Sequence, residues 1–276
     1  MTPVQPFLRW AGGKRWLVGQ LPQLLGSFEF NAYHEPFLGG ASVFLGLPLT
    51  GKPLTGKAYL SDLNSELIQT YERVRDDVEG VADALESHVN TEEHYYAVRQ
   101  CSPVDLTERV ARFIFLNYAS FNGIYRVNLK GVYNVPFGRR EHIKPPLREQ
   151  LRVVSAKLQG VELKADDFEG CLANVTTGDL VFLDPPYTVA HNHNGFVKYN
   201  QRLFSFEDQQ RLSRLIDEIR SRQAYYILTN AAHSSIASLF EKGDSRIETS
   251  RKNIVGGKYA VRGYADEYLF TNLAQI

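Results

Sequence analysis

The chain has 276 residues, 43% of them hydrophobic, and 31 Lys plus Arg balance 31 Asp plus Glu to a net charge of zero. That length suits one large domain or a core with a smaller insertion, and the apolar content excludes a disordered chain. No run approaches the ~20 apolar residues of a membrane span, the opening Met1-Thr2-Pro3-Val4-Gln5-Pro6 lacks a leader's charged and apolar regions, and Cys101 and Cys171 stand far apart without metal-ligand spacing. A reduced, cytoplasmic protein with no membrane contact and no metal is expected.

In chain order, Lys14 to Leu25 predicts a helix ended by Gly26, and His34 to Phe37 and Ala58 to Ser61 predict strands. Asn64 to Val78 reads as a helix, with Leu67, Ile68, Tyr71 and Val74 on one face. Thr91 to Gln100 and Thr107 to Asn117 are further helical candidates. The aromatic, Asn- and Gly-rich piece Phe121 to Arg140 follows, where Tyr125 to Leu129 and Val132 to Val135 pair as a hairpin through Lys130-Gly131. Leu180 to Leu183 predicts a buried strand, Phe206 to Arg222 a helix with Ser205 as N-cap, and Ala224 to Leu228 and Tyr268 to Thr271 two more strands. Strands alternating with helices predict an α/β fold with a mostly parallel, doubly wound sheet. The mainly helical segment 65–165 reads as an insertion into a core made of 1–64 and 166–276.

Asp184-Pro185-Pro186-Tyr187, directly after the strand Leu180 to Leu183, is the most informative motif. Ligands of open α/β sheets bind at the carboxyl ends of strands. The prolines fix φ and remove two backbone donors. A carboxylate, a carbonyl acceptor and a flat ring suit a planar base bearing an exocyclic amine.

Other segments admit two readings. Trp10-Ala11-Gly12-Gly13-Lys14 suits close approach of an anionic ligand to a helix N-terminus, or is an ordinary turn. Glu35-Pro36-Phe37-Leu38-Gly39-Gly40-Ala41 is a glycine loop at a strand end, without the dinucleotide G-x-G-x-x-G spacing. Asp62 is either an acceptor for ribose hydroxyls or a helix N-cap. Asp166-Asp167-Phe168 either holds the edge and face of a nucleobase or is a loop beside a core aromatic. His191 and His193 lack an accompanying acid or Cys cluster, so His191 to Gly195 reads as a polar loop after the Asp-Pro-Pro-Tyr turn, continued by Tyr199 to Phe204. Two stretches, Arg139 to Arg152 and Arg246 to Arg262, are locally basic, as nucleic-acid contact or as solvated surface.

Taken in order, Trp10 to Lys14, Glu35 to Gly40, Asp62 and Asp184 to Tyr187 resemble the Dam-like, alpha-class (D12) DNA adenine-N6 methyltransferases. Phe121-Asn122-Gly123-Ile124-Tyr125-Arg126-Val127-Asn128 and Asn134 to Arg139 resemble that family's DNA-reading hairpin. The resemblance spans nearly the whole chain. It implies a Rossmann-like catalytic core that uses S-adenosylmethionine to methylate N6 of an adenine flipped from duplex DNA, with 65–165 as the target-recognition insertion. Cofactor contacts are implied for Trp10, Ala11, Gly12, Gly13, Lys14, Glu35, Phe37, Gly39, Asp62, Phe168 and Asp184. Asp184, Pro185, Pro186 and Tyr187 are implied as catalytic, and Asn122, Arg126, Asn128, Arg139, Arg140 and Lys144 as DNA-binding, with no metal. Arg140 stands where relatives reading GATC often carry an aromatic, and Arg251 to Gly263 looks more like relatives from restriction-modification systems, so a cognate restriction endonuclease is a possible partner. The rival readings are an amino-methyltransferase acting on cytosine N4 and a non-catalytic DNA-binding relative.

Overall fold

Leu180–Leu183 (β4) is an unbroken apolar run, buried at every position, as a strand between two parallel neighbours must be. Tyr33–Glu35 (β1) lies on one side of it in register Tyr33↔Leu180. Tyr225–Ala231 (β5) lies on the other, with Leu183 opposite Leu228. The computed structural model describes residues 4–26, 28–47, 57–128, 130–140, 144–187, 204–252 and 264–273. Beyond β1, Ala58–Asp62 (β2) pairs parallel, Glu35 opposite Leu60. Tyr264–Thr271 (β7) runs antiparallel to β5, and Ser245–Lys252 (β6) antiparallel to β7. With Glu162–Ala165 (β3), the seven-stranded order is β3-β2-β1-β4-β5-β7-β6. The order reverses at β1: the chain goes one way to β2 and the other way to β4. In doubly wound sheets that switch point is where ligands bind, outside the strand carboxyl ends.

The chain divides into two units, one of Met1–Gly19, Gly39–Pro48 and Asn64–Ala165, the other of Gln20–Leu38, Leu49–Leu63 and Asp166–Ile276. The second carries β1, β2 and β4 to β7. Its helix Phe206–Ser221 starts at a capping box, Ser205 with Asp208. Leu212, Leu215, Ile216 and Ile219 recur at helical spacing and are buried with Val181, Leu183, Tyr226 and Leu228 of the sheet. Each such fully buried side chain contributes about 1.5–3 kcal/mol.

The first unit is mainly helical. Asn64, Asp77, Thr91 and Asp105 each cap a helix, accepting from a backbone N–H in its first turn. These helices are Ser65–Asp76, Val78–Glu86, Glu92–Gln100 and Leu106–Ala119. Leu106–Ala119 is the central one, with Phe113, Ile114, Phe115, Leu116 and Asn117 all buried.

Several expectations are corrected. Lys14 to Leu25 is two short helices, Arg15–Val18 and Leu21–Leu25, and Pro22 sits in the first turn of the second, where its missing N–H costs least. Strands β3 and β6 and the helices Val78–Glu86, Arg148–Leu158 and Ser234–Phe240 were not anticipated. Among the described residues the hairpin arms meet in one bridge, Val127↔Tyr133, flanked by Asn134 N–H to the Arg126 carbonyl (3.1 Å) and Asn128 N–H to the Val132 carbonyl (2.9 Å). The segments 188–203 and 253–263, with the His191 to Gly195 loop and Gly256-Gly257, lie outside the described residues, as do Leu129 and 141–143.

Candidate active site

In the sheet unit, the adjacent strands β2, β1 and β4 each deliver an acid at or just past their carboxyl ends: Asp62, Glu35 and Asp184. Glu35 is 2% exposed. Two residues along a strand share a face, so Tyr33 reaches it, and the Tyr33 hydroxyl donates to Glu35 Oε2 at 2.8 Å. Burial, reinforced by the Glu35 charge, holds the Tyr33 hydroxyl well above its ordinary pKa, so it stays a neutral donor. The loop after β1 is tied to β2 by Leu38 N–H to the Ser61 carbonyl, 3.0 Å. Asp62 does not cap the following helix, because Asn64 does.

Asp166 N–H donates to the Asp62 carbonyl at 3.1 Å, bringing the Asp166-Asp167-Phe168 turn to the end of β2. Asp167 caps the 3-10 helix Phe168–Ala173. Phe168 stacks on Phe37 at 5.2 Å and 23°, with Phe204 5.7 Å away. The Arg211 guanidinium lies 4.7 Å from the centre of the Phe168 ring. It donates to Asp167 and Glu169 at 2.7 Å each and to Asp208 at 3.0 Å. Phe168 is therefore only 5% exposed, a packed member of the cluster, while Phe37 keeps part of its ring exposed. Within the cluster Phe37 is the more accessible of the two rings.

Asp184 follows β4 and is half-buried. The Thr229 hydroxyl on β5 donates to its Oδ1 at 2.8 Å. Pro185 is buried, and Pro186 and Tyr187 are half-buried. Thr229 was missed from sequence because the strand was ended at Leu228, three residues short of its observed end at Ala231.

The helical unit carries the other candidates. Ala11, Gly12 and Gly13 are exposed, and Lys14 is buried with its ammonium on the Gly12 carbonyl at 2.9 Å. The helix behind them is a single turn, Arg15–Val18, too short for the anion-binding helix end expected there. Trp10 stacks on Tyr125 at 5.6 Å and 20°. On Gly39 (φ +46°), a Cβ would stand 2.9 Å from Trp10 Cδ1, and one on Gly40 equally close to Trp10 Cβ. Glycine is required at both positions for the loop to lie against the indole. Asn117 pairs with both backbone groups of Arg9, at 2.7 and 2.8 Å, and donates to the Gly123 carbonyl at 3.2 Å. The amide thus ties the residue before Trp10 to the turn that starts the hairpin segment.

Within that segment Asn122 takes φ 57° and Arg139 φ 51°. Arg126 is exposed and donates to Asn134, at 2.8 Å to Oδ1 and 3.3 Å to the carbonyl. Asn128 has a local task, since its Oδ1 accepts from the N–H groups of Lys130 and Val132 and closes the hairpin turn. Arg140 and Lys144 are exposed. Among the described residues no group of three or more His, Cys, Asp or Glu is placed to hold a metal, and no helix is long and apolar enough to cross a membrane.

The arrangement offers acceptors for hydroxyls and amines at a sheet switch point, and exposed cations on a hairpin. The profile of the D12 class N6 adenine-specific DNA methyltransferases matches residues 10–254. The type II methyltransferase M1.LlaDCHI of Lactococcus lactis subsp. cremoris is 32% identical, covering 98% of this chain and 95% of its own. The type II methyltransferase M.MjaIII of Methanocaldococcus jannaschii is 35% identical over 83% of this chain and 84% of its own. A DNA adenine methylase of Escherichia coli is 28% identical over 92% of this chain and 90% of its own. Matched over nearly its whole length, the chain belongs to the D12 class of N6 adenine-specific DNA methyltransferases.

Proposed function

We propose that this enzyme transfers a methyl group from S-adenosylmethionine to N6 of an adenine flipped out of duplex DNA at a specific sequence. The single observation that carries the mechanism is Asp184 at the end of β4, its carboxylate held by a buried hydroxyl, beside strands that end in Glu35 and Asp62. When bound, the cofactor supplies an electrophilic methyl on a cationic sulfur. The residues present fit it. Asp62 and buried Glu35 are acceptors for a ribose diol and a cationic group, and the part-exposed Phe37 offers a face for an adenine ring. Exposed Ala11, Gly12 and Gly13, with Trp10, Lys14 and Gly39, form the remaining proposed contacts, and Phe168 backs the Phe37 ring.

Adenine N6 is a poor nucleophile because its lone pair is delocalised into the ring. Asp184 accepts one N6 hydrogen and the Pro185 carbonyl the other, which favours a pyramidal nitrogen whose lone pair points away from the ring. Tyr187 stacks on the base, and Pro186 keeps the turn rigid. This is positioning and electrostatics with no covalent enzyme intermediate. Inside a duplex the amine is out of reach, so the base must leave the stack; aromatic stacking of roughly 1–3 kcal/mol offsets part of that cost.

Residues 65–165 act as the target-recognition insertion. There Arg126 and Asn122 read base edges, and Arg139, Arg140 and Lys144 hold phosphates. Asn128 supports the hairpin turn. A cytoplasmic location fits this substrate, and the type II names of two relatives support a partnership with a cognate restriction endonuclease. The test is incubation with S-adenosylmethionine and unmethylated mixed-sequence duplex DNA, followed by mapping of modified bases. N6-methyladenine at one recurring motif is expected. Cofactor binding without any modified base would overturn the reading.

A further inference from the structure

The structure assigns to Thr229 the task of orienting the catalytic carboxylate, an inference that rests on the reading of Asp184 given above. Leu183 and Leu228 are partners in the parallel β4–β5 pair, so the next residues, Asp184 just past the end of β4 and Thr229 within β5, stand side by side. On its other edge β5 is held by β7, with Thr229 opposite Leu269. The Thr229 side chain is fully buried. As a β-branched residue in a doubly paired strand it has little freedom about χ1.

Two acceptors lie near its hydroxyl: Asp184 Oδ1 at 2.8 Å and the Leu183 carbonyl at 3.5 Å. The longer distance is at the limit of a hydrogen bond, and an ionised carboxylate only accepts. The proton therefore belongs to Asp184, in a charge-assisted bond. The next residue in the strand is also held: Asn230 donates to Gln209 Oε1 at 3.0 Å and accepts from Ala231 N–H at 2.9 Å.

A valine has the same shape and suits an apolar strand that already contains Ile227 and Leu228. Burying a hydroxyl instead is unfavourable unless it finds a partner, and its partner is the one carboxylate placed to accept from the target amine. By holding Oδ1, Thr229 sets the plane of the carboxylate about the Cβ–Cγ bond and hence the direction in which the second oxygen accepts. Thr229 does not touch substrate and is a positioning residue.

The experiment compares Thr229→Val, Thr229→Ser and Asp184→Ala for kcat, for KM towards DNA and S-adenosylmethionine, and for thermal melting. Misplacing a reacting group by an ångström costs up to about a hundredfold, so Thr229→Val is expected to lose about ten- to a hundredfold in kcat. Both KM values should stay within about threefold, and Thr229→Ser should restore kcat. If the valine variant does not fold, Thr229→Ala removes the same hydroxyl without adding bulk. Wild-type kcat in a folded hydroxyl-free variant, or a serine variant as impaired as the valine one, would overturn the positioning role. Asp184→Ala separates the two levels. Normal turnover by that variant defeats the catalytic reading itself, whereas a dead Asp184→Ala beside a normal Thr229→Val defeats only the role of Thr229.

Discussion

Asp184 and Arg126 are held in opposite ways. Asp184 leaves a strand whose four residues are all buried, next to a neighbour strand that also supplies the hydroxyl bonded to it. Arg126 stands exposed on a hairpin with one bridge, steadied by Asn134 across the turn. The proposed reacting group is fixed by sheet register, which cannot shift by one residue without turning every side chain to the other face. The proposed reading group is fixed by a local polar contact to Asn134, which a base edge would have to replace. A scaffold divided like this can change its target without disturbing its chemistry.

The largest expected effect breaks the comparison on the rigid side. Asp184→Ala should lower kcat by at least about a hundredfold, as removing one preorganised group does elsewhere, while melting falls only by the modest amount that depriving the Thr229 hydroxyl of its carboxylate costs. Equal loss of fold and activity would show that the carboxylate serves the sheet rather than the reaction. Next comes Asn117→Ala, at the base of the reading segment. It leaves the Arg9 N–H, the Arg9 carbonyl and the Gly123 carbonyl without their amide partner. A destabilisation of about 2–3 kcal/mol is expected, read as a lower urea midpoint with an unchanged slope. A midpoint shift that corresponds to less than about 0.5 kcal/mol would mean that the tie between the Trp10 loop and the hairpin carries no weight.

On the soft side, Arg126→Ala should cost about 1–3 kcal/mol of discrimination at one base pair and leave cofactor affinity unchanged. The value is expected near the low end, because Arg126 gives up two bonds to Asn134 when it turns to a base. Modification mapped across mixed-sequence DNA shows this as one relaxed position. An unchanged target profile would remove Arg126 from the reading role.

What the sequence made legible follows from how local each signal is. An apolar quartet running into Asp-Pro-Pro-Tyr marks β4 and its acid without knowledge of anything distant. Strand β6, Ser245–Lys252, has no apolar pattern, and it forms because β7 offers an edge to pair with. Thr229 lies past the apolar run of its strand, so nothing nearby in sequence points to Asp184, 45 residues away. Phe168 was visible as an aromatic beside two acids, yet the Arg211 and Phe37 contacts that bury it come from far along the chain. Asn128 shows the converse. A short polar side chain near a glycine turn has a local use, and that use claims its oxygen.

The smallest effect sharpens the comparison within the basic stretch 139–152. Composition gives its arginines equal standing, but the structure separates them. Arg148 donates to Glu79, Asp83 and Glu86, and Arg152 to Glu79. Bonds from Arg152 and Arg148 hold the Glu79 carboxyl down to about 2. A depressed carboxylate keeps its pairing above its unfolded value and loses it only as pH falls from about 4.5 towards 2, so these charges stay matched at any pH where the enzyme works. Among the described residues the Arg140 guanidinium meets the Asn122 amide oxygen, at 3.5 Å, and Lys144 is exposed. Each phosphate contact adds about 0.9 to the slope of log affinity against log salt. Arg140→Ala should therefore flatten that slope by about one and weaken binding to all sequences alike. Arg148→Ala should leave the slope where it was, because that guanidinium already has carboxylate partners and a phosphate would have to displace them. Equal slopes for the two variants would mean that the acid cluster opens to DNA, and that fixed and exchangeable contacts are not divided between residues in this stretch.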